Sequence, residues 1–324
     1  STRHATVQVR VIKTLFFATD PIALPALQAA YHHHEIDVQA LVTQPLRRSG
    51  RGRKQRESIL VEAAHEMGLP SCRPHRLDRE EGDTLLKQYQ PEFCIVMAYG
   101  QIICQRHLDT VPGPWLNLHG SLLPRWRGAA PIERAIEAGD HETGMMFMAM
   151  EAGLDTGSIY SARKIQVDHH SGGSLRKEMA NLAAILVKED LSLILSGHLK
   201  SKKQAEEGSC YAHRLRPNEG WIDFRGDAEI WSRRSRAFDP KPGLTCLDPK
   251  GKRLKLWRAE PLRGGGDPGR IERIDSEGLI ISCERGCLKV TELQLEGRKR
   301  IHISDFILST RWKIGERLTF VGNC

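Results

Sequence analysis

The stretch WLNLHGSLLPRWRGAAPI, Trp115 to Ile132, decides how this chain is read. It opens as a short apolar strand, places Asn117 and His119 near the strand's end, turns at Gly120-Ser121, and runs into a loop with Arg125 and Arg127 around Trp126. At i and i+2 on a strand, the amide and the imidazole share one face. In an open α/β sheet, ligands bind beyond the carboxyl ends of the strands. An amide N–H beside an imidazolium stabilises an oxyanion, and an imidazole moves protons. The plainer alternative is a core histidine satisfied by a neighbouring carbonyl, with the asparagine in a turn.

Strands and helices alternate on either side of this stretch. VIKTLFFATD reads as a buried strand, and PIALPALQAAY as a helix with Asp20 at the N-cap and Pro21 in its first turn. IDVQALVTQ, FCIVMA and GMMFMAM are further strands; ESILVEAAHEMG, DREEGDTLLKQYQ and PIERAIEAG are helices. The spacing predicts an α/β fold, a mostly parallel sheet with helices on both faces. A long amphipathic helix is expected from Ser174 to Leu195, and SGHLKSKKQAEEGSC (196–210) reads as a linker without apolar period. Beyond Tyr211 the texture changes. GLTCL, RLKLWRAE, GLIISC and CLKVTELQL are short strand candidates between Gly, Pro and Asp turns, the pattern of a small barrel or sandwich, and HISDFILSTR is a helix candidate. The expected organisation is 1–196, a linker at 197–210, and 211–324.

The chain has 324 residues, 40% hydrophobic and 27% charged, an ordinary globular balance. No run approaches the roughly 18 apolar residues of a membrane span. The eight cysteines lack paired zinc spacing, so reduced structural thiols are expected. Charge is uneven: residues 1–210 hold 25 Lys and Arg against 24 Asp and Glu, whereas 211–324 hold 23 against 16. A basic C-terminal part suits a polyanion partner, or simply a solvated surface. The chain starts STRHATVQVR, without an initiator methionine and without a secretory signal. A cytoplasmic monomer is expected, or an organellar-matrix protein whose transit segment has been removed.

Two further stretches carry chemistry. MEAGLDTGSIY sets Asp155 between Gly153 and Gly157, in a loop where backbone approaches a ligand closely and a carboxylate can orient His119. In TQPLRRSGRGRKQR, six of the ten residues from Arg47 to Arg56 are basic, among them Arg48, Arg51, Arg53 and Lys54, which suits phosphate. No G-x-G-x-x-G follows the first strand and no Walker sequence is present. The YHHHE run at 31–35 reads as a solvated helix end rather than a metal site, and no metal is expected.

Together these stretches resemble the methionyl-tRNA formyltransferases, through nearly the whole chain. LFFATDPIALPAL resembles that family's opening strand and helix, TQPLRRSGRGRK its basic loop, IVMAYGQII the segment lining its folate site, and NLHGSLLPRWRGAAPIERAI with AGDHETG its core. MEAGLDTGSIY resembles the segment with the catalytic aspartate; YAHRLRPNEGWIDF and RAFDPKPG resemble the approach to its barrel. Ala18 departs, standing where the family usually has glycine, and Asp20-Pro21 reverses the commoner order.

The resemblance implies a Rossmann-like catalytic domain and an OB-like barrel that holds tRNA. It implies transfer of the formyl group of 10-formyltetrahydrofolate to the α-amine of methionyl-initiator tRNA, through a tetrahedral intermediate, for translation initiation. Asn117, His119 and Asp155 would be catalytic, with Asp155 raising the basicity of His119. Folate would lie against Met97, Ala98, Tyr99, Gly100, Ser121, Leu122, Leu123 and Pro124. The tRNA would meet Arg47, Arg48, Arg51, Arg53 and Lys54 in the loop, and Arg233, Arg234, Arg298, Lys299 and Arg300 in the barrel. The Asn-x-His and Asp set specifies the reaction more strongly than the acceptor. Formylation of a sugar-nucleotide or purine-pathway amine, formyl-folate hydrolysis, and a catalytically idle tRNA-binding relative are the alternatives.

Overall fold

The computed structural model describes residues 10–46 and 57–321; the basic segment with Arg47, Arg48, Arg51, Arg53 and Lys54 lies outside the described residues. The chain divides into two compact units. One draws on Ser1–Pro131, Thr143–Ile165 and Arg176–Ala212, the other on Ile132–Glu142, Gln166–Leu175 and His213–Cys324.

The first unit begins with β1 (Ile12–Ala18), whose last four residues are fully buried. Asp20 then accepts the Ile22 N–H at 3.0 Å, and Pro21 opens a 3-10 turn that leads into α1 (Leu24–Tyr31). A carboxylate at the cap and a proline without an N–H are what a helix start favours. β2 (Ile36–Val42) follows, then α2 (Ile59–Glu66), capped by Ser58. After β3 (Ser71–Cys72) comes α3 (Glu80–Tyr89), which ends where Gln90 turns left-handed before Pro91. β4 (Phe93–Met97), α4 (Gln105–Thr110), β5 (Trp115–His119) and the short β6 (Arg127–Gly128) carry the chain through the site. The chain then passes through α5 (Pro131–Ala138), which from Ile132 on belongs to the second unit, and continues with β7 (Glu142–Ala149), β8 (Ile159–Gln166), α6 (Gly172–Leu195) and β9 (Tyr211–Ala212).

The sheet order is β3-β2-β1-β4-β5-β7-β8 among the described residues. β3, β2, β1, β4 and β5 pair in parallel, and β7 runs antiparallel to β5. The chain leaves β1 toward β2 and returns to β4 on β1's other side. The carboxyl ends of β1 and β4 therefore diverge at a topological switch point, the usual place for a ligand. There the Thr19 N–H donates to the Ala98 carbonyl at 3.1 Å, and the Thr19 hydroxyl donates to the Tyr99 carbonyl at 2.7 Å. Ala18 is ordinary buried strand, so its Cβ points into the core and places no demand on the turn. The residue with positive φ at this crevice is Ala98, at 48°.

The second unit pairs β10 (Leu244–Leu247), β11 (Arg253–Leu262), β12 (Ile271–Asp275), β13 (Gly278–Ser282), β14 (Cys287–Leu295) and β15 (Ile301–His302) in antiparallel fashion. The order is β10-β11-β14-β13-β12, with β15 on β14. Segment 316–319 bonds both edges: the Ile271 N–H donates to the Glu316 carbonyl at 2.8 Å, and Leu247 and Thr319 exchange backbone bonds. That closure makes a barrel and removes the free edges. Its core holds Leu254, Leu256, Leu279, Ile281, Leu288, Val290 and Leu293. Helix α7 (Ala228–Ala237), capped by Asp227, buries Trp231, Ser232 and Ser235. The helix expected over HISDFILSTR is only one turn, α8 (Ile303–Phe306), because the Ser309 and Thr310 N–H groups both fold back onto the Phe306 carbonyl. Among the described residues no helix is long and apolar enough to cross a membrane.

The seven described cysteines are free. Burial raises the Cys94 and Cys246 thiols and pushes Cys283 up to about 12. Only thiolate alkylates readily. Iodoacetamide at pH 8 should therefore label half-buried Cys72, Cys104 and Cys210 in the native protein, and Cys94, Cys246 and Cys283 only after denaturation; peptide mass spectrometry reads the difference.

Candidate active site

β4 and β5 are parallel neighbours, with Val96 opposite Asn117. This pairing sets the His119 end of β5 beside the switch point. Asn117 and His119 share one face of β5, as their spacing predicts. The loop between β7 and β8 brings Asp155 to them. The Asn117 amide donates to Asp155 Oδ1 at 3.5 Å, and His119 Nδ1 lies 3.7 Å from Asp155 Oδ2. That Oδ2 also accepts the Gly128 N–H at 2.8 Å. The three side chains named from sequence thus meet in one place.

Backbone geometry makes the meeting possible. Asp155 adopts φ 51°, a left-handed conformation that aspartate tolerates better than most residues. Gly128, at φ 110°, passes so close to Ala212 that a Cβ would sit 2.9 Å from its carbonyl oxygen. At Gly157 a Cβ would come 1.8 Å from the Ala149 carbonyl, so the Asp155 loop can close on β7 only with glycine there.

The histidine's protonation pattern follows from its partners. Nε2 lies 2.8 Å from the Trp126 carbonyl, which can only accept, so Nε2 carries the hydrogen. Nδ1 is the nitrogen facing Asp155, with the histidine side chain 7% and the aspartate 15% exposed. The Ser121 hydroxyl braces this loop by donating to the Arg125 carbonyl at 2.7 Å and approaching that of Trp126 at 3.3 Å. The carbonyl-satisfied reading thus accounts for Nε2 and leaves Nδ1 turned to Asp155.

The expected folate-lining residues divide. Ala98 and Gly100 are exposed at the carboxyl end of β4, whereas Met97 is buried. The Tyr99 ring lies in the core, edge-on to Phe17 at 5.4 Å, and its carbonyl is taken by Thr19 and Gln44. Ser121 is buried with its hydroxyl committed to the loop; Leu122 and Pro124 are half-buried, and Leu123 is buried.

Sequence reading missed two residues, Gln204 and its partner Arg127. The segment read as a linker is docked: Lys202 exchanges backbone bonds with Ile159. Gln204 donates to the carbonyls of Asp155 and Gly157 at 2.7 and 2.8 Å. Its Oε1 accepts from buried Arg127 at 2.9 and 3.1 Å. Gln204 thereby ties the Asp155 loop to the strand whose Gly128 N–H holds the carboxylate. A lone polar residue in a polar stretch gives no sequence signal for this.

Several of the arginines expected to meet tRNA are internally engaged. Arg233 donates to the Ala138 carbonyl at 2.9 Å, and Arg234 pairs with Glu137 at 2.8 Å. Arg300 bonds Asp239 and Glu292, and stacks over Trp257. Arg298 and Lys299 are exposed. No group of His, Cys, Asp or Glu suited to a metal occurs among the described residues.

Residues 13–187 match the formyl transferase family and residues 214–311 the formyl transferase C-terminal domain. The methionyl-tRNA formyltransferase of Magnetococcus marinus is 38% identical over 307 residues, 94% of this chain and 98% of its own. The chain belongs to the methionyl-tRNA formyltransferase family. A second member, from Neisseria gonorrhoeae, is 37% identical over 310 residues, 95% of this chain and all of its own. Among solved structures, WlaRD, a sugar 3N-formyl transferase, superposes with a TM-score of 0.66 at 18% identity, covering 89% of this chain and 99% of its own. The methionyl-tRNA formyltransferase of Clostridium thermocellum gives 0.52 at 16%, covering 86% and 98%. These two likenesses carry the fold.

Asp155→Asn should leave the thermal midpoint near that of the unchanged chain while lowering kcat by roughly 10²–10⁴, the usual size of an acid–base contribution. Gln204→Ala should lower kcat and displace its pH profile, with KM held within twofold. Steady-state formylation kinetics across pH check both.

Proposed function

We propose that this chain transfers the formyl group of 10-formyltetrahydrofolate to the α-amine of methionyl-initiator tRNA. The observation that carries the reading is the convergence of Asn117, His119 and Asp155 at the carboxyl end of β5, beside the switch point of the sheet. The donor groups there fit a formyl carbonyl: an amide N–H, a ring nitrogen and an acid. The bound folate supplies the electrophilic formyl carbon.

The chain's own residues do the rest. The Asn117 amide stabilises negative charge as it grows on the formyl oxygen, a role worth roughly 3–4 kcal/mol in comparable sites. His119 Nδ1 takes the proton from the attacking amine, and Asp155 balances the resulting imidazolium. The tetrahedral intermediate then collapses by breaking the bond from the formyl carbon to N10, the proton passing to that departing nitrogen of tetrahydrofolate. An α-amine has an ordinary pKa of about 7.7–8.0, so much of it is already neutral near pH 7.5. Alignment of two bound reactants then matters more than a strong base.

In this reading residues 1–196 perform the chemistry and 211–324 hold the tRNA. Residues 197–210 join them and, through Gln204, also brace the site. The similarity to methionyl-tRNA formyltransferases across both domains favours a tRNA acceptor over a sugar amine. The chain acts as a monomer in the cytoplasm or an organellar matrix. The segment with Arg47, Arg48, Arg51, Arg53 and Lys54 comes after β2 in the sequence, and in this reading it engages the acceptor end of the tRNA through its phosphates. Of the barrel residues expected to meet tRNA, Arg298 and Lys299 are exposed and form no side-chain ion pair among the described residues.

Incubation with methionyl-tRNA and 10-formyltetrahydrofolate should yield formylmethionyl-tRNA. Formate release without acceptor, or no product, overturns the reading. Arg51→Ala with Arg53→Ala should raise the tRNA KM and flatten its salt dependence, by up to about 0.9 in log–log slope for each phosphate no longer neutralised. Identical kinetics across salt would remove the loop from the mechanism.

A further inference from the structure

The outer face of the barrel holds a cavity of about 550 Å³ that the reaction does not use. Its size falls within the roughly 300–1,000 Å³ of small-molecule sites. The wall follows from strand alternation. On β11, Leu254 and Leu256 point into the core, so Arg253 and Lys255 face the cavity, while Trp257 lies buried beside them. Thr245 on β10 and Gln294 on β14 flank Lys255 in register. Half-buried Trp221 stands beside them, with the Arg253 guanidinium 5.8 Å from the centre of its ring. The Lys255 ammonium lies 5.2 Å from the Trp257 ring and donates to the Pro242 carbonyl at 3.0 Å. The Trp257 N–H is held by Gln294 at 3.0 Å.

We propose that this cavity binds one unpaired nucleotide of the RNA acceptor, its base against Trp221 and its phosphate on Arg253. The inference rests on the reading above and deepens it. Three features select RNA. Indole rings beside cations are the stacking platforms of single-stranded nucleic-acid sites. The cavity is lined by two cations against one carboxylate, Glu296, so a phosphate is favoured. Residues 211–324, which carry this wall, hold 23 basic against 16 acidic residues. The arginines of α7, by contrast, are committed to Glu137 and to the Ala138 carbonyl. On the β10–β11–β14 face, by comparison, exposed Arg253 stands beside the half-buried Trp221 ring. Arg253 is exposed and can be changed without disturbing the core.

The test titrates the full chain with a short single-stranded oligoribonucleotide and reads tryptophan fluorescence. Quenching is expected, its loss in Trp221→Leu, and about tenfold weaker binding in Arg253→Ala, the size of one base-stacking or phosphate interaction. Both variants should raise the methionyl-tRNA KM five- to tenfold while the KM for the formyl donor stays within twofold. Equal quenching in Trp221→Leu, or a tRNA KM within twofold of the unchanged chain in both variants, overturns the proposal. If the unchanged chain makes no formylmethionyl-tRNA, the functional reading falls, and the oligoribonucleotide titration still decides the cavity.

Discussion

The site depends on where one carboxylate is held. Asp155 is mostly buried, and a buried charge is tolerated only when its oxygens are satisfied. The Gly128 N–H supplies the shortest bond, at 2.8 Å, with Asn117 and His119 at longer range. A charge-assisted bond of this kind contributes about 1.5–3 kcal/mol. Moving Gly128 would strand the acid and release the two side chains it orders. The glycine's φ of 110°, its closeness to Ala212 and the Gln204 bridge all serve that single N–H. Parallel pairing of β4 with β5 does the rest, by delivering the amide and imidazole to the open end of the sheet.

Electrostatics in the second unit are organised differently. Its arginines fall into two groups that sequence cannot separate. One group is structural: Arg134 bonds Glu137 and Glu219, and Arg234 shares Glu137. Burial opposes the charged form of Glu219, yet its bond to Arg134 wins and holds the carboxyl below its usual range. The other group, including Arg253, Arg298 and Lys299, is exposed and costs little to redirect toward phosphate. Net charge alone counts both groups equally, so it overstates what an RNA can meet.

Legibility followed the range of the interactions. β1, β5 and the barrel strands were readable because alternation and turn residues act locally. Asn117 and His119 were readable because their spacing fixes a shared face. Asp155 was suggested by the glycines around it, though the Gly128 N–H that holds it gave no local sign. Gln204 was not readable: its partners lie 77 and 49 positions away, in β6 and in the loop before β8. The pairing of Arg234 was hidden for the same reason, since Glu137 is 97 positions distant. Tyr99 was assigned to the ligand by neighbourhood, whereas its ring follows strand alternation into the core.

The chemistry itself places few demands on the acceptor. An amine that is already partly neutral needs only a nearby nitrogen to take its proton and a donor to steady the oxygen. Such a trio would serve any primary amine that reaches it, and the sheet that carries it is shared with a sugar formyl transferase. Selection must therefore fall on groups outside the trio, where binding energy from remote parts of a large substrate is used to align its reacting end. A barrel closed by segment 316–319 supplies a rigid wall for that purpose, because alternation along β11 sends one set of side chains to the core and leaves the cationic set outside. The same strand thus builds the fold with one face and offers the other to a polyanion.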